Sequence, residues 1–122
     1  MTILNQREAA PFTTADGSQI REFLNPGNST LVNQSLAEAT LRPSQCTTLH
    51  YHPKAEEIYF ILSGSGVMQI EDQKRGVGPG DAIAIPSGSK HQICNPHGED
   101  LVFLCCCAPA YSHEDTILIE ER

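Results

Sequence analysis

This chain has no long apolar run, no basic cluster and little helical periodicity, and each absence excludes something. The longest apolar stretch, Leu101 to Ala110, is too short to cross a bilayer and is ended by Pro109. No basic segment followed by an apolar one opens the chain, so no secretory signal is expected and the cytoplasm is the default location. Eight Lys and Arg against fifteen Asp and Glu give a net charge of −7. Such a surface suits neither nucleic acid nor an anionic membrane, and neither is expected as a partner. The acidic tail residues Glu114, Asp115, Glu120 and Glu121 read as solvated. Low-complexity segments and sequence repeats are also missing.

Five cysteines are an odd number, and three are consecutive at Cys105, Cys106 and Cys107. Adjacent cysteines seldom satisfy disulfide geometry, and nothing in the chain implies an oxidising compartment. On a strand, Cys105 and Cys107 face one way and Cys106 the other. All three read as small buried hydrophobes, with a redox or substrate-facing role for one of them as the alternative. Cys46 and Cys94 lie near the residues singled out below and are candidate pocket-lining thiols.

What is present is a succession of short strands. At 122 residues, 39% hydrophobic and 19% charged, the chain is one domain that buries roughly two thirds of its unfolded surface. Runs rich in Val, Ile, Leu, Tyr and Phe predict strands at Gln19–Phe23, Ser35–Leu41, Cys46–His52, Glu57–Ser63, Gly66–Glu71, Arg75–Val77, Ala82–Ile85, His91–Asn95 and Leu101–Cys107. Turn residues separate them, as at Arg42-Pro43-Ser44, Gly64-Ser65-Gly66, Gly78-Pro79-Gly80-Asp81 and Pro86-Ser87-Gly88. The expectation is an all-β sandwich or barrel over residues 17–108. Residues 1–16 read as an arm. Residues 109–122 read as a tail, whose apolar Thr116–Ile119 offers a strand to its own or a neighbouring subunit.

Two spaced patterns carry the chemistry. The first is His50-Tyr51-His52, four residues, Glu57, six residues, Gly64. The second is Gly80, five residues, Pro86-Ser87-Gly88, two residues, His91, three residues, Asn95. His50 and His52, two apart on a strand, point to one face. Pro53 to Glu56 reverses the chain, so that Glu57 begins a returning strand beside the histidines. His91 arrives from a separate strand after a turn whose direction Pro86 sets. Each signal alone is weak, but nine positions match together and include three of the five histidines. They propose one metal ion held by His50, His52, Glu57 and His91. His97 and His113 fall outside the pattern and read as surface residues.

The paired patterns resemble the two signature motifs of the cupin superfamily. The resemblance covers residues 50–95 by motif and most of residues 17–108 by strand layout. It implies an all-β double-stranded β-helix, or jelly-roll barrel. In metal-binding members, the positions matching His50, His52, Glu57 and His91 are the ligands. One departure is visible: the family usually has Gly six residues before the first His, where this chain has Ser44. The short stretch Ser65 to Pro79 between motifs is similar to that of small bacterial cupins loosely grouped with mannose-6-phosphate isomerases.

Three neutral imidazoles and a carboxylate leave a divalent ion with a charge of about +1, and an octahedral ion keeps about two positions open. Two such positions suit a bidentate substrate, or a substrate and dioxygen together. Manganese, iron or nickel is favoured, and cobalt or zinc is compatible; zinc, with four protein ligands, would be closed and structural. The leading expectation is a metal-dependent enzyme acting on a small oxygenated substrate, of dioxygenase or decarboxylase type. Glu57 is also a candidate base, and Tyr59, on its strand face, a candidate pocket donor. The alternative is a non-catalytic module that binds a small ligand or metal. Sugar-phosphate isomerisation is less well supported, because the Lys and Arg residues are scattered. The apolar strand Leu101–Cys107 suggests a homodimer.

Overall fold

A computed structural model describes residues 1–119 as two facing antiparallel sheets. The strands are β1 (Phe12–Thr13), β2 (Gln19–Leu24), β3 (Ser35–Leu41), β4 (His50–Tyr51), β5 (Glu56–Ser63), β6 (Gly66–Ile70), β7 (Gln73–Val77), β8 (Ala82–Ile85), β9 (His91–Cys94), β10 (Leu101–Ala108) and β11 (Ile117–Leu118). One sheet runs β1-β2-β3-β10-β5-β8 and the other β11-β4-β9-β6-β7. The placement of β10 between β3 and β5 requires long crossovers between the sheets, which makes this an all-β jelly-roll barrel. Among the described residues, no helix is long and apolar enough to cross a membrane.

Alternation along the strands builds the interior. On β5, Glu57, Tyr59 and Ile61 point inward while Ile58, Phe60 and Leu62 point out. On β10, Leu101, Phe103, Cys105 and Cys107 point inward and Val102, Leu104 and Cys106 lie half-buried on the outer face. These inward rows meet Leu41, Met68, Ile85 and Ile93 in one core. Leu41, Ile61, Ile93, Leu101 and Phe103 are fully buried, each worth about 1.5–3 kcal/mol relative to exposure.

Several local expectations change. The strand expected over Cys46–His52 reduces to His50–Tyr51, with Cys46 joined to Cys94 by an isolated bridge. Strands β4 and β5 do not form a hairpin: Pro53 to Ala55 carry the chain from one sheet to the other, so Glu57 faces the histidines across the interior. Residues 1–16 are tied down at several points. A single 3₁₀ turn at Gln6–Glu8 is capped by Asn5, Gln6 donates to Glu38 at 2.7 Å, and Phe12–Thr13 pairs with β2. In the tail, β11 pairs with β4 of its own chain.

Two side-chain expectations are overturned by the structure. Cys46 and Cys94 do not line the pocket; they form a disulfide that ties the segment ahead of β4 to the end of β9, Cα atoms 4.0 Å apart, with Cys46 exposed. Asp115 is not solvated. Its carboxylate accepts the backbone N–H groups of Lys54 and Ala55 at 3.0 and 2.9 Å, pinning the tail to the connection ahead of β5. Glu114 is exposed, and Glu120 and Glu121 lie outside the described residues.

Candidate metal centre

Register brings the histidines together. His50 of β4 sits directly opposite His91 of β9, with ring centroids 4.2 Å apart. His52 follows two residues later, 5.1 Å from His50 and 5.4 Å from His91 by ring centroid. The three rings form a buried cluster with the spacing of metal ligands. From the opposite sheet, β5 directs Glu57 toward them, its Oε1 lying 3.4 Å from Nε2 of both His52 and His91.

The outer nitrogen of each ring decides what the inner one can do. His50 Nδ1 lies 2.6 Å from the Thr48 carbonyl, His91 Nδ1 3.0 Å from the Ser89 carbonyl, and His52 Nδ1 3.1 Å from the Asp115 carbonyl. A carbonyl oxygen only accepts, so each Nδ1 donates and each neutral ring turns an Nε2 lone pair inward. Glu57 Oε1 is an acceptor too. Among the described residues, Glu57 Oε1 and His91 Nε2 are buried without any hydrogen-bond partner. Buried polar atoms rarely stay unpaired. Acceptors converging on one buried point need a cation between them, a proton or a metal ion. The donor set therefore fits a divalent transition metal.

The electrostatics carry the same signature. Burial pushes the Glu57 carboxyl upward, but His52 and His91 outweigh it and bring it down to about 2. They act by charge and proximity, since neither 3.4 Å contact has hydrogen-bond alignment. Burial and the charge of His91 push His50 below its usual range, so it is readily neutral. Burial opposes protonation of His52, but the nearby Glu57 prevails and raises it.

Cys107 completes the carboxylate's surroundings by donating its S–H to Glu57 Oε2 at 3.1 Å. Burial and the Glu57 charge push this thiol upward, so it stays protonated, and Cys105 is shifted the same way. Neither behaves as a reactive thiolate. Tyr59 is buried against Phe103, 4.7 Å away by ring centroid, and lines the cavity beside Glu57; burial raises its hydroxyl well above the usual range. His97 and His113 are exposed, away from the cluster.

The cavity above the histidines opens toward β1 and β2, and two of its features were missed by sequence reasoning. Asp16, in the β1–β2 turn, lines it and places Oδ2 3.8 Å from His50 Nε2. Nothing in spacing marks this residue, although Asp-Gly-Ser is a turn signal. Tyr111, beyond β10, forms the facing wall, its ring 6.1 Å from that of His52.

The cupin domain model matches residues 37–107. An uncharacterized protein of Methanocaldococcus jannaschii is 47% identical over 110 residues, covering 90% of this chain and 88% of that protein. A 5-aminosalicylate 1,2-dioxygenase from a Comamonas species is 29% identical over 102 residues, which are 79% of this chain but 27% of the dioxygenase. Among solved structures, the polyketide cyclase RemF of Streptomyces resistomycificus superposes with a TM-score of 0.85 over 100% of this chain and 87% of its own, at 20% identity, a likeness of fold.

Proposed function

This chain belongs to the cupin family, and from that premise we propose that it is a metal-dependent enzyme acting on a small oxygenated molecule, of dioxygenase or decarboxylase type. His50, His52, His91 and Glu57 would hold one divalent transition metal, with manganese, iron or nickel favoured and cobalt or zinc compatible. The observation that carries this reading is a buried trio of histidines whose ligand atoms lie within 4.8 Å of one another, with an orphaned Glu57 oxygen 3.4 Å from two of them. When bound, the ion supplies Lewis acidity toward an oxygen-bearing substrate. The chain's own groups orient and enclose. Three backbone carbonyls fix the rings, and Cys107 holds one oxygen of Glu57 and leaves the other for the ion or for a substrate proton. Tyr59 and Phe103 give the cavity aromatic walls. The dioxygenase relative supports the reaction class, though the chain spans about a quarter of it.

The protein also presents Ile58, Phe60 and Leu62 outward, 52%, 40% and 42% exposed, beside half-buried Val102, Leu104 and Cys106. Such a sheet face supports a homodimer, and sedimentation at micromolar concentration tests it, a monomer counting against it. Cytoplasmic placement is part of the same reading. The Cys46–Cys94 bond bears on it, because disulfides persist chiefly in oxidising compartments. A thiol count on protein isolated under alkylating conditions distinguishes the two.

The central test is elemental analysis of untagged protein beside Glu57→Ala. About one manganese, iron or nickel per chain, lost or weakened in the variant, is the expected result and leads to oxygen-consumption and decarboxylation screens. No retention of any added divalent ion would overturn the enzyme reading and leave a ligand-binding barrel.

A further inference from the structure

The cavity beside the histidines carries an unusual balance of charge. Its walls include three carboxylates, Asp16, Glu22 and Glu57, and no Lys or Arg among the described residues. The remaining surface is the imidazoles of His50 and His52, the protonated thiols of Cys105 and Cys107, and hydroxyl-bearing or apolar side chains, with Phe12 at the rim and Phe103 deeper in. A site made for phosphate or for a dicarboxylate places cationic side chains opposite the ligand's charge. This one does the reverse.

Asp16 is the residue that gives this balance a direction. One of its oxygens is fully engaged. Oδ1 accepts from Thr14 Oγ1 at 2.6 Å, from Ser18 Oγ at 2.6 Å and from the Ser18 backbone N–H at 3.0 Å. The turn itself is closed by Thr14 N–H to the Ser18 carbonyl at 3.0 Å and passes through Gly17 at φ +93°, a conformation open to glycine. It is also fastened to the segment leading into β4 and His50, because Thr48 N–H donates to the Asp16 carbonyl at 2.7 Å. The carboxylate cannot swing away without giving up these bonds. Its other oxygen, Oδ2, faces His50 Nε2 across 3.8 Å. That gap is too long for a direct hydrogen bond, and both atoms are acceptors in the tautomer the Thr48 carbonyl imposes. With His50 Nε2 turned to a metal, Asp16 Oδ2 is the acceptor left facing the cavity, placed to take a hydrogen bond from a donor on its occupant.

We propose that this cavity takes a neutral small molecule bearing at least two adjacent hydroxyl or enol groups, and discriminates against dianions, with Asp16 Oδ2 reading one hydroxyl as a hydrogen-bond acceptor. The proposal rests on the metal reading of the same site and favours its dioxygenase form over decarboxylation, whose substrates are carboxylates. A divalent ion with Glu57 and Asp16 beside it has a net charge of zero, so a dianion would leave excess negative charge in a low-dielectric pocket. A neutral diol can place one oxygen at the histidine cluster and direct the neighbouring O–H to Asp16, with its carbon skeleton against Phe12 and Phe103. Asp16 is then a specificity residue, and the preference comes from repulsion as much as attraction.

The test uses full-length protein loaded with manganese, and Asp16→Asn, which retains an Oδ1 acceptor for the turn and replaces Oδ2 with a donor. Metal content is measured first, then the affinities for catechol and oxalate by calorimetry at neutral pH. Asp16→Asn should keep the wild-type metal content, while the catechol-to-oxalate affinity ratio falls by about 10-fold or more. A ratio that changes less than threefold, or wild-type protein without catechol binding, overturns the proposal. Loss of the ion in Asp16→Asn also overturns it and makes Asp16 a ligand. Wild-type protein that holds none of manganese, iron, nickel, cobalt or zinc defeats the metal reading instead. The same two probes on that metal-free protein then decide the role of Asp16, a fall in the ratio supporting it and an unchanged ratio refuting it. Should Asp16→Asn not fold, Asp16→Ser carries the same measurement.

Discussion

Replacing Asp115 with alanine should destabilise the protein by about 2 kcal/mol and weaken its hold on a metal ion by about tenfold. The magnitude follows from two bonds of unequal weight. The carboxylate accepts the N–H of Lys54 at 3.0 Å and of Ala55 at 2.9 Å. Lys54 is exposed, so water replaces the carboxylate there at little cost. Ala55 is 3% exposed, and its stranded N–H loses about 1–3 kcal/mol. The effect on the site comes through the main chain, because the Asp115 carbonyl accepts from His52 Nδ1 at 3.1 Å and orients that ring. Removing a group that fixes a metal-binding histidine costs about 10–100-fold in affinity, and the lower end applies because the carbonyl itself survives the substitution. Urea unfolding of the chelated protein reads the first quantity. With a slope of about 2 kcal/mol/M, the midpoint should fall by about 1 M. Competition against a chromogenic chelator reads the second. Exposed Glu114→Ala is the control and should stay within about 0.5 kcal/mol of wild type. An Asp115→Ala midpoint indistinguishable from that control refutes the anchoring argument. A lowered midpoint with unchanged metal affinity refutes only the link to His52.

Three further outcomes are expected. Ser44, at φ +68° where L-residues are disfavoured, should gain about 0.5–1 kcal/mol on conversion to glycine, seen as a melting temperature higher by about 2–4 °C; an unchanged or lower value contradicts this. Reducing the exposed Cys46–Cys94 bond, which spans 48 residues of sequence, should cost about 2–4 kcal/mol by enlarging the unfolded ensemble, and identical urea midpoints with and without dithiothreitol would argue otherwise. Acid should destabilise the metal-free protein in a defined window. The Glu57 carboxyl is depressed from 4.5 to about 2 in the fold, so its contribution is present above pH 4.5 and is lost as pH falls toward 2. Glu57→Gln should flatten that part of the profile, and an unchanged acid limb in the variant would count against the assignment.

The barrel was legible because its signals are local. β3 and β8 lie at their expected bounds and the other expected strands shift by a residue or two, except β4, which begins four residues later than expected; period-two alternation and Gly or Pro turns identify them. The odd serine of the first pattern was legible too, and the structure supplies its reason: position 44 adopts a left-handed backbone, which the family's usual glycine accepts freely. What escaped was long-range. The Cys46–Cys94 bond depends on register between segments 48 residues apart. Asp115 reads as one more acidic tail residue until the tail is known to lie on the connection ahead of β5. Asp16 sits in a stretch too polar and irregular to predict a strand, yet β1 is held by β2, and the turn between them borders the cavity. Each miss is a tertiary placement that composition and periodicity do not encode.

The four residues of the centre do not belong to one sheet. The histidines are borne on or beside β4 and β9, and Glu57 comes from β5 in the other layer. An ion gripped by all four is therefore a rivet through the sandwich, and its binding energy is also cohesion energy for the two layers. Free metal at 100 times its dissociation constant would add about 2.7 kcal/mol to the native state by mass action alone. Heat resistance of this protein would then report the metal supply around it, and a cell starved of the ion would hold a less stable chain as well as an empty site.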